Sequence, residues 1–142
     1  MKKVGRKRGF ISVVCALMLV LSGCAATTTE LSDKFDEETV KSESAKAVEY
    51  FNERDYQTII DMGVQEMKDS ITAEEFAKQS DPYLDKCGSF QEIEKTVTLG
   101  SEDKKTGAQY GGVVMVGKYE DGKIQFTIMF DEDMKLVQFT IK

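Results

Sequence analysis

At Ser89 the apolar residues change period, and this limits the chain to folds in which helices come first and a sheet second. Before that point Val40, Ser44, Ala47, Val48 and Phe51 follow the i, i+4, i+7, i+8, i+11 spacing of one helix face, with charged residues on the other side. After it, residues rich in Val, Ile, Thr, Tyr and Phe alternate with polar ones, predicting four strands at about 90–99, 108–119, 123–130 and 135–142. The expected fold class is α+β, N-terminal helices packed on a curved four-stranded antiparallel sheet.

Local signals divide the helical half. Asp55 is a candidate N-cap for a second helix through Tyr56, Ile59 and Ile60 toward Gly63, and Val64, Met67 and Ile71 continue its apolar series. Thr72-Ala73-Glu74-Glu75 has the form of a capping box and starts a third helix. Asp81-Pro82 is expected to interrupt it, because the residue before a proline avoids the helical region, and a short new helix should then stop at Gly88.

In the sheet, Asp121-Gly122 between alternating runs predicts a two-residue type I′ hairpin. That register sets Glu120 opposite Lys123, Tyr119 opposite Ile124, Gly117 opposite Phe126, Met115 opposite Ile128 and Val113 opposite Phe130. A second turn over residues 132–135 pairs Phe130 with Val137, Ile128 with Phe139 and Phe126 with Ile141. Three strands then share one apolar face. Gly111-Gly112 would allow a bulge or bend, and a sheet curved there would wrap around the helices and leave a hollow. The stretch "GSEDKKTG" reads as a polar, mobile loop.

The amino end carries a different message. Lys2, Lys3, Arg6, Lys7 and Arg8 precede the apolar run at residues 10–21 and the small residues Ser22 and Gly23, the layout of a bacterial export signal. A membrane-spanning helix needs about 20 apolar residues, and this run is well short of that. Leu21-Ser22-Gly23-Cys24 resembles the lipobox of bacterial lipoproteins at all four positions. The resemblance implies cleavage between Gly23 and Cys24 and a diacylglycerol thioether on Cys24, whose two acyl chains suffice for stable anchoring. The protein would face outward on a cell membrane. Its expected domains are a signal peptide at 1–23, a lipidated cysteine and flexible tether at 24–38, and a folded domain at 39–142.

Five of the 19 basic residues lie in the leader and all 25 acidic ones lie after Cys24, so the chain from Cys24 onward has 14 basic residues and a charge of −11. That excess argues against nucleic acid or an anionic bilayer as a partner and favours a domain held off the headgroups by its tether. With Cys15 in the leader and Cys24 lipidated, Cys87 has no intrachain partner, and a small buried apolar side chain is its expected role.

"AVEYFNERDYQTIIDM" (47–62), "ITAEEFAKQSDPYLDKCGSF" (71–90), "GKYEDGKIQFTIMFDEDMKL" (117–136) and "QFTIK" (138–142) resemble a family of Gram-positive lipoproteins and hydrolase-linked modules, domain-of-unknown-function family 3887. The resemblance implies a nuclear transport factor 2-like (cystatin-like) cone fold and carries no catalytic signature.

The chain has no histidine, which removes zinc and most transition-metal sites along with histidine-based triads, and no cofactor is expected. Asp131-Glu132-Asp133 lacks the ligand spacing of a calcium loop and reads as an acidic hairpin tip. Met115, Tyr119, Phe126, Ile128 and Phe139 are the candidate lining of an apolar pocket inside the cone. On the opposite sheet face Val114, Val116 and Met129 form a candidate partner surface in a polar field. The preferred expectation is a non-catalytic module binding a small apolar ligand or a protein. The alternatives are a cone-fold isomerase or hydrolase using a helix carboxylate, with Glu49, Asp55 and Asp61 as candidates, and an accessory domain of a neighbouring cell-envelope enzyme.

Overall fold

In the computed structural model the described residues are 26–142, so the expected leader and the lipidation site at Cys24 lie outside them. Strand β1 (Ala26–Thr29) is followed by helices α1 (Glu37–Asn52), α2 (Tyr56–Asp61), α3 (Gln65–Ser70) and α4 (Ala73–Cys87). Strands β2 (Phe90–Asp103), β3 (Gln109–Tyr119), β4 (Gly122–Phe130) and β5 (Leu136–Ile141) complete an antiparallel sheet of order β1-β2-β3-β4-β5. The α+β reading holds, with one more strand than expected.

The helices form where their local chemistry places them. Asp36 caps α1 by accepting from Thr39 N–H at 2.8 Å, and its buried face is Val40, Ser44, Ala47, Val48 and Phe51. Asp55 caps α2, and Thr72 and Glu75 close the expected capping box on α4. Pro82, however, does not interrupt α4. Loss of one main-chain hydrogen bond is offset because Leu84 and Cys87 continue the buried series begun by Phe76 and Ser80. The helix then stops at Gly88, whose φ of 76° takes the chain out of the helical region.

The sheet register differs from expectation by two residues. Tyr119 faces Gly122, so the hairpin loop is Glu120-Asp121, and Gly117 faces Ile124, Met115 faces Phe126, Val113 faces Ile128 and Gly111 faces Phe130. Gly122 has no positive φ, as a type I′ turn centred on Asp121-Gly122 would require. The shift has a tertiary cause: Glu120 N–H donates to Ser89 O at 2.9 Å and Asp121 N–H to Cys87 O at 2.8 Å, so the end of α4 positions the turn. A slip of two leaves every side chain on its face. Phe126 still reaches Gly117 on the diagonal, its Cε2 3.2 Å from where a Cβ would stand. On β5, Ile128 faces Phe139 and Phe126 faces Ile141 as expected, while a bulge pairs Phe130 with Leu136 instead of Val137.

No register shift occurs at Gly111-Gly112; the irregularities of β2 lie between Phe90 and Glu92 and between Ile93 and Lys95. The first half of the expected mobile loop is strand, because Gly100 to Asp103 pair with β3 or its turn on one side and β1 on the other.

The segment expected to be a flexible tether, 24–38, is built into the fold from Ala26 onward. Ala26 to Thr29 pair with Asp103 to Gly100, Phe35 is buried, and α1 begins at Glu37. Two glycines receive this segment. At Gly100 the Glu30 carbonyl occupies the space of a side chain, and at Gly111 a Cβ would lie 2.6 Å from Phe35 Cγ and 2.7 Å from Leu31 Cδ1. The amino-terminal segment is therefore packed into the sheet.

Candidate functional site

The expected hollow is filled. Met115, Tyr119, Phe126, Ile128 and Phe139 are all at most 3% exposed and belong to one core cluster with the helix side chains. Phe51 of α1 meets Phe126 edge-on at 5.2 Å, and Phe76 of α4 meets Phe139 at 5.7 Å. Of the five expected pocket residues, only Tyr119 lines either of the two clefts described below.

Tyr119 lies where α1 ends and the β2–β3 ladder begins. A cleft of about 350 Å³ opens there between Asn52, Arg54, Leu84, Asp85, Ser89, Phe90 and Tyr119. The Tyr119 hydroxyl donates to Asn52 Oδ1 at 2.5 Å, and Phe90, 37% exposed, covers the ring edge-on at 5.4 Å. Burial pushes the Tyr119 phenol well above its ordinary value, and nearby Cys87 adds to the shift. Such a phenol keeps its proton at neutral pH and works as a hydrogen-bond donor.

Arg54 organises the rim. Its guanidinium meets Asp81 at 2.9 Å and Asp85 at 2.7 Å, tying the α1–α2 turn to α4. Asp81 also accepts from the Tyr56 hydroxyl at 2.5 Å, and burial followed by this carboxylate pushes the Tyr56 phenol up as well. The charges of Arg54 are thus already paired within the fold. The sequence signal for this cluster is "NERD" at 52–55, which places a charged residue where a helix ordinarily ends on glycine.

The three expected helix carboxylates do not meet at a cleft. Glu49 is exposed, Asp55 accepts from Thr58 N–H and Oγ1 as a cap, and exposed Asp61 accepts from Gln57 Nε2 at 2.9 Å. A second cleft, about 500 Å³, lies at the other end of the sheet between Met67, Gln109, Tyr110 and the Asp131-Glu132-Asp133 turn. Among the described residues no group of three or more His, Cys, Asp or Glu is arranged to hold a metal ion. Cys87 is a buried free thiol.

The outer sheet face is partly as expected. Val114 and Val116 are half-buried, but Met129 is only 2% exposed, its Sδ lying over Gly112. The exposed apolar residue that joins the two valines is Val97, which pairs with Val114 and is 47% exposed. Alternation along β2, β3 and β4 puts Lys95, Lys118 and Lys123 on the same face. Two carboxylates neighbour them: Glu92 lies directly opposite Lys118, and Glu94 meets Lys123 Nζ at 2.7 Å and is drawn below the ordinary range by that hydrogen bond.

Helices sealed over one face of an antiparallel sheet, with the other face open, define an α+β domain whose accessible features are two end clefts and an outer sheet face. Residues 44–139 match the family described as "Protein of unknown function (DUF3887)", and the chain belongs to that family. An NMR structure of a protein from Ruminococcus gnavus ATCC 29149 is similar, with a TM-score of 0.71 and 35% identity over 80% of this chain and 98% of that one. No match was found among curated proteins.

Proposed function

We propose that this protein is an outward-facing lipoprotein of a cell membrane, anchored through Cys24, whose domain is a non-catalytic module that meets a protein partner on its outer sheet face. The observation that carries the reading is the stripe of Val97, Val114 and Val116 bordered by Lys95, Lys118 and Lys123, on a chain with a strong excess of acidic residues. An apolar centre whose border carries three lysines, with Glu92 opposite Lys118, Glu94 paired to Lys123 and Lys95 without such a facing carboxylate, suits a partner surface that is apolar in the middle and offers acidic groups at its edge. The order of elements supports a nuclear transport factor 2-like cone, here with its interior filled by its own side chains.

A native mass spectrum of the membrane-extracted protein tests both parts. Diacylglycerol is expected on Cys24, along with a bound protein that Val116→Asp removes without altering the circular dichroism spectrum. An unlipidated chain would overturn the anchor. A lipidated chain with no partner, or one whose partner survives Val116→Asp, would overturn the binding face.

A further inference from the structure

The chain leaves almost no slack between the lipidation site and the fold. Cys24 is two residues before Ala26, a span of at most about 7 Å. A bilayer's headgroup layer is itself roughly 5–7 Å thick on each side. With acyl chains on Cys24 in the hydrocarbon, β1 would begin at the headgroup surface.

What β1 pairs with then decides which end of the domain stands there. Ala26 lies opposite Asp103, the last residue of β2, and the turn that follows carries the exposed Lys104 and Lys105. This turn is ordered: Asp103 N–H donates to Ala108 O at 2.9 Å, Gly107 N–H to Asp103 O at 2.7 Å and Lys105 N–H to Asp103 Oδ1 at 2.9 Å. The β2–β3 ladder also overhangs the rest of the sheet. Past the level where Gly100, Gly111 and Phe130 align, β2 continues through Ser101, Glu102 and Asp103, about 10 Å of strand. The acidic turn at 131–135 starts near that level on the next pair of strands, and its Asp131, Glu132 and Asp133 line one cleft with Ala108, Gln109 and Tyr110 beside the overhang. The overhang carries Glu102 and Asp103 along its strand and Lys104 and Lys105 at its tip, so the groups that meet a phosphate surface first are the two lysines.

We propose that the domain docks on its membrane in one orientation, with the Lys104-Lys105 turn against the phosphates of the lipid headgroups and the Phe90 end directed away from the bilayer. The proposal rests on the lipoprotein reading above and reverses the expectation of a domain held off by its tether. A chain of net charge −11 is repelled by an anionic surface as a whole, and one pinned there next to β1 meets the phosphates with the two lysines at the tip of the β2–β3 turn. Phe90 and Asp103 are the two ends of β2, so the cleft beside Tyr119 would stand about 40 Å from the lipid.

The test uses the full lipidated chain in vesicles containing phosphatidylglycerol, with a fluorophore on Thr106→Cys or Ser89→Cys in a Cys87→Ala background and a headgroup-linked quencher. Quenching at position 106 is expected to exceed that at 89 several-fold. Lys104→Glu with Lys105→Glu, or a Gly/Ser spacer of about ten residues inserted after Ala25, should remove the difference. Equal quenching in a chain whose mass shows diacylglycerol on Cys24 would overturn the orientation and leave the anchor standing. A chain without that mass would overturn both.

Discussion

Arg54 stands where a helix of this kind ordinarily ends on glycine. Its φ is 60°, and the hydrogen bonds around it, Asp55 N–H to Tyr50 O at 2.8 Å and Arg54 N–H to Phe51 O at 3.0 Å, close a Schellman motif. A side chain in this left-handed conformation costs about 1–2 kcal/mol. The side chain offsets that cost by joining Asp81 and Asp85 on α4, contacts that are partly exposed and individually modest. Arg54→Ala keeps the backbone cost and loses the bridge, whereas Arg54→Gly loses the bridge and relieves the backbone. Chemical denaturation should therefore find the alanine variant less stable than the glycine variant by about 1 kcal/mol. The reverse order would mean that the motif, as described, is not what ends α1.

At the scale of elements, what could be read from the sequence was what is decided locally. The buried face of α1 follows from spacing alone, and the caps at Asp55 and Thr72 follow from residues three or fewer positions away. Several features decided by distant residues depart from the local pattern. The β3–β4 turn is placed by main-chain bonds to Cys87 and Ser89, α4 passes Pro82 because burial beyond it outweighs one hydrogen bond, and four-residue β1 is too short to display a period. For the site, the apolar character of the inner face was legible, but its complete filling was not, since it depends on how Phe51 and Phe76 of separate helices fit between Phe126 and Phe139. The caps also carry a pH dependence. Hydrogen bonds from Thr39 to Asp36 and from Thr72 to Glu75 hold both carboxyls below their ordinary values. A depressed carboxyl stabilises the fold above the unfolded-state value and loses that contribution as pH falls through the folded-state value. The thermal midpoint should accordingly drop as pH goes from about 5 to about 3. Asp36→Asn combined with Glu75→Gln should flatten that slope, as followed by circular dichroism melting; an unchanged slope would assign the acid sensitivity elsewhere.

For the whole molecule, the last strand holds both layers together. Leu136, Phe139 and Ile141 are each no more than 2% exposed. Burying side chains of this size contributes about 1.5–3 kcal/mol apiece, against a total stability of about 5–15 kcal/mol for a typical domain. Leu136 also makes a parallel bridge to Gly63, with its N–H donating to Met62 O at 2.9 Å and its carbonyl accepting from Val64 N–H at 3.0 Å. A chain ending at Lys135 is expected to give no cooperative melting transition and rapid proteolysis; a cooperative transition would show that the helices and three long strands suffice. That single bridge has a temporal meaning too. Because the link between α2 and α3 closes on Leu136, a chain emerging amino end first has no partner for it until all four helices and strands β1 to β4 have appeared. The helices must wait, unlatched, for β5, so the link between the two layers is one of the last parts of the fold to close.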